Sequence, residues 1–293
     1  MKFLITGSAG LIGSQVVKDL IKQNHIVYSC YHNEKPTYGI PIQMDLKDKK
    51  KIIETIEILK PDKIIHLAAI TNVDLCETEK ELSTQINSDS TEILAKEAAK
   101  QKIFFVYVST DYIFDGVKGM KKENDPVNPL QFYGKTKLKG EKALNKLASN
   151  WCIVRTSTPF GIHNKKKSFP LWVKENLELK KEIKIVTDQF TSPTYVPNLS
   201  KMLIELTIRE ITGIINLSGS TRISRFELAI LVADILNLDK KLLISTKMDK
   251  MNWNAQRPKD SSLDVSFATE ILNEKPQGIA HSLELFLSEL KNN

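Results

Sequence analysis

Lys2-Phe3-Leu4-Ile5-Thr6-Gly7-Ser8-Ala9-Gly10-Leu11-Ile12-Gly13 is the stretch whose reading decides the fold. A short apolar run leads into three spaced glycines. Val16, Val17, Leu20 and Ile21 then follow at helical spacing. Strand, glycine loop and helix in that order form the context that a dinucleotide fingerprint requires. Glycines let backbone N–H groups approach a pyrophosphate, and the helix N-terminus adds partial positive charge. The spacing here is T-G-x-x-G-x-x-G rather than G-x-G-x-x-G. Gly7, Gly10, Leu11, Ile12 and Gly13 are therefore candidates for holding a cofactor.

Outward from that loop the same unit recurs. Ile26 to Tyr31 reads as a second strand, and a short strand precedes Met44-Asp45-Leu46. Asp48 to Lys60 reads as an amphipathic helix, capped by Asp48 and stopped by Pro61, with Ile52, Ile53, Ile56 and Leu59 inward. Lys63-Ile64-Ile65-His66-Leu67 is a strand ending in Ala68-Ala69, and His66 within it reads as a packed core histidine. A long helical stretch is expected from about Thr78 to Lys100, with Asn87 bonding to a neighbouring strand end. Phe104 to Val108 is an aromatic and β-branched run of the kind found in buried parallel strands, and it ends in Ser109 and Thr110. Strand, helix and small-residue loop have then alternated four times. The expectation is an α/β fold, a doubly wound, Rossmann-like parallel sheet, with a smaller C-terminal substrate lobe. The ligand site should lie at the carboxyl ends of the strands, where Gly7–Gly13, Ala68–Thr71 and Ser109–Tyr112 fall. Residues 1–158, with a segment returning at about 195–218, are assigned to the dinucleotide-binding domain. Residues 159–194 and 219–293 are assigned to the substrate lobe.

A helix opening near Tyr133 and running to about Leu147 carries the second chemical signal. Thr136, Gly140, Ala143 and Leu147 should share one face, and Tyr133 and Lys137, four apart, should stack together. A free tyrosine has a pKa of roughly 10 and shuttles protons poorly at neutral pH. A lysine cation nearby favours the phenolate and should draw that value down. Thr110, at the end of the neighbouring strand, could hold a substrate carbonyl while Tyr133 protonates it.

With the glycine loop upstream, Ser109-Thr110 and Tyr133-x-x-x-Lys137 resemble the extended short-chain dehydrogenase/reductase superfamily. Four further runs narrow the resemblance: Ser109-Thr110-Asp111-Tyr112-Ile113-Phe114-Asp115-Gly116, Tyr133-Gly134-Lys135-Thr136-Lys137-Leu138, Asp188-Gln189-Phe190-Thr191-Ser192-Pro193-Thr194 and Arg257-Pro258. In that order they look like the dTDP-4-dehydrorhamnose reductase family, over a span from Thr6 to about Leu272. The resemblance implies NAD(P)H-dependent reduction of the 4-keto group of a nucleotide-activated deoxysugar, with dTDP-4-dehydro-L-rhamnose going to dTDP-L-rhamnose. Thr110, Tyr133 and Lys137 would be catalytic, and Asp45, Leu46, Ala68, Ala69 and Thr71 would line the cofactor. Asp74, Asp111 and Tyr112 would face the substrate. Arg257 is suited to a diphosphate, with a structural salt bridge as the competing reading. Many rhamnose-pathway relatives carry tryptophan where this chain has Thr158. The regulatory subunit of methionine adenosyltransferase also resembles this family, with Tyr-Gly-Lys-Thr-Lys and Ala-Gln-Arg-Pro runs like Tyr133–Lys137 and Ala255–Pro258. It binds a partner enzyme and a dinucleotide, so an intact triad is compatible with a non-catalytic role.

An acid that grips the ribose 2′-hydroxyl of NAD should stand about 20 residues past the glycine loop. That window reads Tyr31-His32-Asn33, with no carboxylate before Glu34, whereas His32 and Lys35 could meet a 2′-phosphate. NADP is the expected cofactor, with NAD as the other option. Lys165-Lys166-Lys167 reads as a solvated loop, with contact to a diphosphate as the alternative.

Composition closes other routes. The 293 residues are 41% hydrophobic and 26% charged, ordinary for a soluble globular protein. No apolar run reaches the ~18 residues a membrane span needs. The sequence enters a strand directly, so no signal peptide is expected. Three scattered cysteines give neither a disulfide frame nor a zinc site, and a reducing cytoplasm is the expected compartment. The formal charge of +7 is spread over helix faces without a basic, aromatic-interleaved stripe, so nucleic acid is not an expected partner. No carboxylate set suggests a metal, and a homodimer is left open.

Overall fold

Seven parallel strands form the central sheet: β1 (Lys2–Thr6), β2 (Ile26–Tyr31), β3 (Ile40–Gln43), β4 (Lys63–His66), β5 (Phe104–Thr110), β6 (Trp151–Thr156) and β7 (Gly213–Asn216). The computed structural model describes residues 1–147 and 150–291. The strand order is β7-β6-β5-β4-β1-β2-β3. The chain winds outward from β1 to β3, then returns to β4 on the other side of β1. The crevice at that reversal, beyond the carboxyl ends of β1 and β4, is where open α/β sheets bind ligands.

Alternation along β1 explains why both faces are covered. Phe3 and Ile5 join a core with Val16, Val17 and Leu20 of α1 (Leu11–Lys22) and with Leu199, Met202 and Leu203 of a later helix. Leu4 points the other way, into a core with Ile52 and Ile56 of α2 (Lys49–Leu59). Each such side chain, fully buried, stabilises the fold by about 1.5–3 kcal/mol.

The segment expected as one long helix is broken into pieces. After α3 (Val73–Thr78), it comprises α4 (Lys80–Thr84), a π-helical turn at Gln85–Asp89 and α5 (Ser90–Lys100). The π turn presents Asn87 sideways. Its Oδ1 accepts from the Ile70 N–H at 2.8 Å, and its Nδ2 donates to the Ile70 carbonyl at 3.0 Å and to Thr136 Oγ1 at 3.1 Å. One amide therefore ties the chain leaving β4 to the helix that carries Tyr133. A π bulge at such a point is a common functional device.

That helix is α6 (Phe132–Leu144), and it buries Tyr133, Thr136, Lys137, Gly140, Glu141 and Leu144. Leu144 joins the inward face fully buried, Leu147 beyond the helix packs partly against the same core, and Ala143 is half-buried, as α6 packs on β5 through Gly140. A Cβ there would lie 2.5 Å from the Tyr107 hydroxyl. A buried ion pair fixes the far end of α6: Arg155 on β6 grips both oxygens of Glu141, at 3.2 and 2.8 Å.

Beyond the sheet, α7 (Phe169–Glu178), α9 (Arg225–Leu236) and α11 (Ile279–Lys291) share a third core around Phe160, Val173, Leu228, Val232, Leu283 and Phe286. The helix α8 (Val196–Ile208) and β7 return to the main sheet, as does α10 (Ser266–Ile271) through Ala268. Among the described residues, no helix is long and apolar enough to cross a membrane.

Candidate active site

A cleft of about 980 Å³ runs across the carboxyl ends of the strands. Gly7, Gly10, Leu11, Ile12 and Gly13 line one part of it, and Thr110, Tyr133 and Lys137 line another. His32, Asp45, Leu46, Ala68, Ala69, Thr71, Asp111 and Tyr112 also lie along its wall.

The glycine loop is shaped by contacts that a side chain would destroy. Gly7 has φ +67°, in the left-handed region, and a Cβ there would sit 2.8 Å from the Ala68 nitrogen. A Cβ on Gly13 would fall 2.2 Å from the Gly7 carbonyl oxygen. The N-terminus of α1 has no side-chain cap, so its first N–H groups remain available at the cleft.

Beneath the loop lies a network in which each proton has one place to go. Thr6 Oγ1 accepts from the N–H groups of Leu67 and Ala68, both at 3.1 Å, so its own proton goes to His66 Nδ1 at 2.6 Å. His66 Nε2–H then donates to Thr91 Oγ1 at 3.0 Å, and Thr91 donates to the Asn87 carbonyl at 2.9 Å. His66 is fully buried and stacks on Tyr107. Burial, helped by the Lys137 charge, lowers its pKa to about 3.

At the other end Thr110, Tyr133 and Lys137 are all buried, at 6%, 9% and 2% exposure. The expectation for the tyrosine is corrected here. Burial pushes the Tyr133 hydroxyl well above its ordinary value, and the Thr110 hydroxyl opposes this only in part. Burial also pulls Lys137 down to about 7 against the opposing charge of Glu141, with its ammonium 4.2 Å from the centre of the Tyr107 ring. Loss of water on burial outweighs the Thr110 hydroxyl, so Tyr133 is held as the neutral phenol.

Thr110 is tightly engaged. Its hydroxyl accepts from the Tyr112 N–H at 3.2 Å and donates to Asp111 Oδ1 at 3.0 Å. Ser157 donates to the other Asp111 oxygen at 2.7 Å. Burial raises the Asp111 pKa despite these hydroxyl donors. Two buried hydroxyls in the same wall, Ser109 Oγ and Thr156 Oγ1, have no hydrogen-bond partner among the described residues.

Two expected substrate contacts lie elsewhere. Arg257 and Asp74 do not line the cleft; they hold each other, with Nη2 to Oδ2 at 2.7 Å. The other Asp74 oxygen accepts from the Ala255 N–H at 2.8 Å. The structural salt bridge is thus the reading that the geometry favours for Arg257. Lys35 lines a smaller neighbouring cavity instead of the cleft, and Glu34 pairs with Lys165 at 3.0 Å. Lys166, expected in a solvated loop, reaches the cleft, with its Nζ 3.7 Å from where a Gly10 Cβ would stand. His163 holds that loop in place. Its Nε2 donates to the Ala9 carbonyl at 3.0 Å, and its Nδ1 accepts from the N–H groups of Lys165 and Lys166 at 3.1 and 3.0 Å. Arg225 also lines the cleft. Nothing local in the sequence singles it out, since its place at the start of a helix does not mark which way its side chain turns.

A doubly wound sheet, a glycine cradle at the switch point, and a Tyr-x-x-x-Lys helix beside a Ser-Thr strand end define an extended short-chain dehydrogenase/reductase type. The family follows from comparison with known proteins. The family model described as RmlD substrate binding domain matches residues 1–292, and the chain belongs to that family, the dTDP-4-dehydrorhamnose reductase family. A solved dTDP-4-dehydrorhamnose reductase from Bacillus anthracis, in complex with NADP, is 27% identical with a TM-score of 0.89, covering 98% of this chain and 99% of that one. A probable low-salt glycan biosynthesis reductase, Agl14, of Haloferax volcanii is 32% identical over 91% of this chain and 90% of its own length. Methionine adenosyltransferase 2 subunit beta of Bos taurus is 31% identical over 90% of this chain and 80% of its own length.

Proposed function

We propose that this protein uses NADPH, with NADH as the lesser option, to reduce the 4-keto group of a nucleotide-activated deoxysugar. dTDP-4-dehydro-L-rhamnose is the substrate favoured by the family resemblance. The observation that carries the reading is one cleft with a glycine cradle at one end and Thr110, Tyr133 and Lys137 buried together at the other.

The residues present suit a dinucleotide. A cradle that any Cβ on Gly7 or Gly13 would fill leaves backbone N–H groups bare for a pyrophosphate. Lys166 and His32 supply cationic or hydrogen-bonding groups along the same wall, and His32 Nε2 stands 3.6 Å from Asp45. Ser109 and Thr156 offer buried hydroxyls that want partners. A bound dihydronicotinamide supplies the hydride.

The chain's own residues then have separate tasks. Tyr133, kept protonated by burial, donates its phenolic proton to the carbonyl oxygen as that oxygen gains charge. Lys137, titrating near neutrality, holds positive charge next to the nascent phenolate. Thr110 steadies the carbonyl oxygen only if its proton turns away from Asp111. Neutral Asp111 permits this: it can donate to Thr110 Oγ1 and release the threonine proton toward the substrate. The raised pKa of Asp111 makes that form more accessible.

A second reading rests on the likeness to methionine adenosyltransferase 2 subunit beta: a dinucleotide-binding subunit without turnover. NADPH oxidation with dTDP-4-dehydro-6-deoxyhexose separates the two. Wild type should turn over, and Tyr133→Phe should lose roughly 10²–10⁴-fold in kcat while binding NADPH normally. If both proteins are equally inert, the reductase reading fails and capture of a methionine adenosyltransferase becomes the next experiment.

A further inference from the structure

Arg225 stands apart from every other arginine in the chain. Among the described residues, Arg155, Arg209, Arg222 and Arg257 each hold a carboxylate, at 2.8, 2.5, 2.7 and 2.7 Å. Among the described residues, none places a carboxylate within ion-pairing distance of Arg225. Its guanidinium lies over the Phe169 ring at 5.0 Å, and Nη2 is 3.5 Å from Thr158 Oγ1, at the outer limit of a hydrogen bond. Its backbone N–H donates to the Gln189 carbonyl at 2.9 Å, which fixes the start of α9, and the residue lines the cleft.

The surroundings are costly for such a group. Burial works against the charge of Arg225, and Arg257 adds like charge, while Asp111 and Tyr112 oppose from nearby. Asp111 is already engaged by Thr110 and Ser157. Thr158, which meets Arg225, has φ +41°. That conformation typically costs a β-branched residue about 1–3 kcal/mol. A forked, preorganised guanidinium without an acid is suited to bind two anionic oxygens at once.

Resting on the reductase reading, we propose that Arg225 is a specificity-determining residue that binds an anionic group of the substrate close to the reacting carbon. The anionic oxygens belong either to the phosphate of a nucleotide-activated sugar or to a carboxylate on the sugar itself. The cofactor is an unsuitable source, because its phosphates are expected at the glycine loop and Lys166. Arg225 thus takes the role that the sequence offered to Arg257.

The test is calorimetric titration of the protein saturated with NADP, using dTDP, glucuronate and thymidine as probes. Arg225→Gln should weaken dTDP or glucuronate roughly 10- to 100-fold, the loss of one or two charge-assisted hydrogen bonds. Thymidine and NADP should bind as before, and Arg225→Lys should recover part of the loss. A loss confined to dTDP assigns the phosphate, and one confined to glucuronate assigns the carboxylate. The proposal is overturned if neither probe binds the wild type, or if Arg225→Gln binds both within twofold of wild type. Protein that binds NADP and dTDP through Arg225 but never oxidises NADPH would sink the reductase reading alone. Turnover with an unchanged KM in Arg225→Gln would sink only the Arg225 assignment. Thermal melts of both variants check that the fold persists.

Discussion

Lowering the pH should loosen the floor of the cleft through one residue, His66. In the unfolded chain this imidazole titrates at 6.5; in the folded protein burial and the Lys137 charge lower it to about 3. The folded form is neutral because Nδ1 accepts the Thr6 proton, and Thr6 has no lone pair left for a second N–H. The sign follows from linkage. The unfolded chain binds a proton that the folded state refuses, so this contribution is complete above pH 6.5 and drains away as pH falls toward 3. Between pH 7 and pH 5 the unfolded imidazole gains about 1.5 pH units of proton binding, worth about 2 kcal/mol at 1.36 kcal/mol per unit. His66→Gln cannot titrate. Urea unfolding of both proteins at pH 7 and pH 5 should show wild type losing about 2 kcal/mol more than the variant, with equal m-values. The difference between proteins cancels His25 and the carboxylates. NADP affinity should follow the same trend, because Thr6 holds the Leu67 and Ala68 N–H groups under the glycine loop. If the two proteins lose stability in parallel, the assigned proton network is wrong.

Lys137→Met should be both inert and more stable. Burial lowers Lys137 from 10.5 to about 7, so near neutral pH the wild type forfeits about 2–4 kcal/mol that methionine would not. Wild-type stability should also rise between pH 7 and 10.5, a trend the variant lacks. Asp111→Asn offers Thr110 an N–H and Ser157 a carbonyl oxygen, mimicking the neutral acid. It should be more stable than wild type at neutral pH, since wild-type stability falls as pH rises from 3.8 through the raised folded value. Its kcat should stay within about tenfold, whereas a collapse of about 10³-fold would mean that Asp111 must carry charge.

Local signals in the chain were legible and non-local ones were not. The run from Lys2 to Gly13 is read correctly because strand, glycine loop and helix each depend on neighbouring residues. The approach of Thr110, Tyr133 and Lys137 followed from parallel topology, which places successive strand ends on one edge. The pairing of Arg257 with Asp74 spans 183 positions, and no periodicity points to it. Arg225 shows the same difficulty from the other side: only the third dimension carries it from a helix cap to the wall beside Asp111. The π turn at Gln85–Asp89 was missed because its residues have ordinary helical character. It is imposed by Asn87 reaching both Ile70 and Thr136. The Tyr133 error was one of degree. The i, i+4 spacing to Lys137 was legible, but the loss of water that raises the tyrosine was not.

The distribution of paired and unpaired charge bears on the choice between enzyme and inert binder. This fold pairs its buried charges wherever it can: Arg155 with Glu141, Arg257 with Asp74, and Lys63 with Glu210. Among the described residues, three buried or half-buried cations lack an acid, Lys121, Lys137 and Arg225; Lys121 lies over the Phe114 ring, and the other two line the cleft that also holds Tyr133. A Tyr-x-x-x-Lys helix is compatible with both readings, but a dinucleotide-binding subunit has no need of a bare guanidinium at the cleft wall. Unpaired buried charge costs stability, and it is retained where a ligand or a developing charge completes it. Two such sites in the one cleft favour a pocket made to take an anionic substrate and move a proton. If Lys137→Met and Arg225→Gln both proved less stable than wild type while binding NADP and dTDP unchanged, those cations would be structural and this argument for turnover would fail.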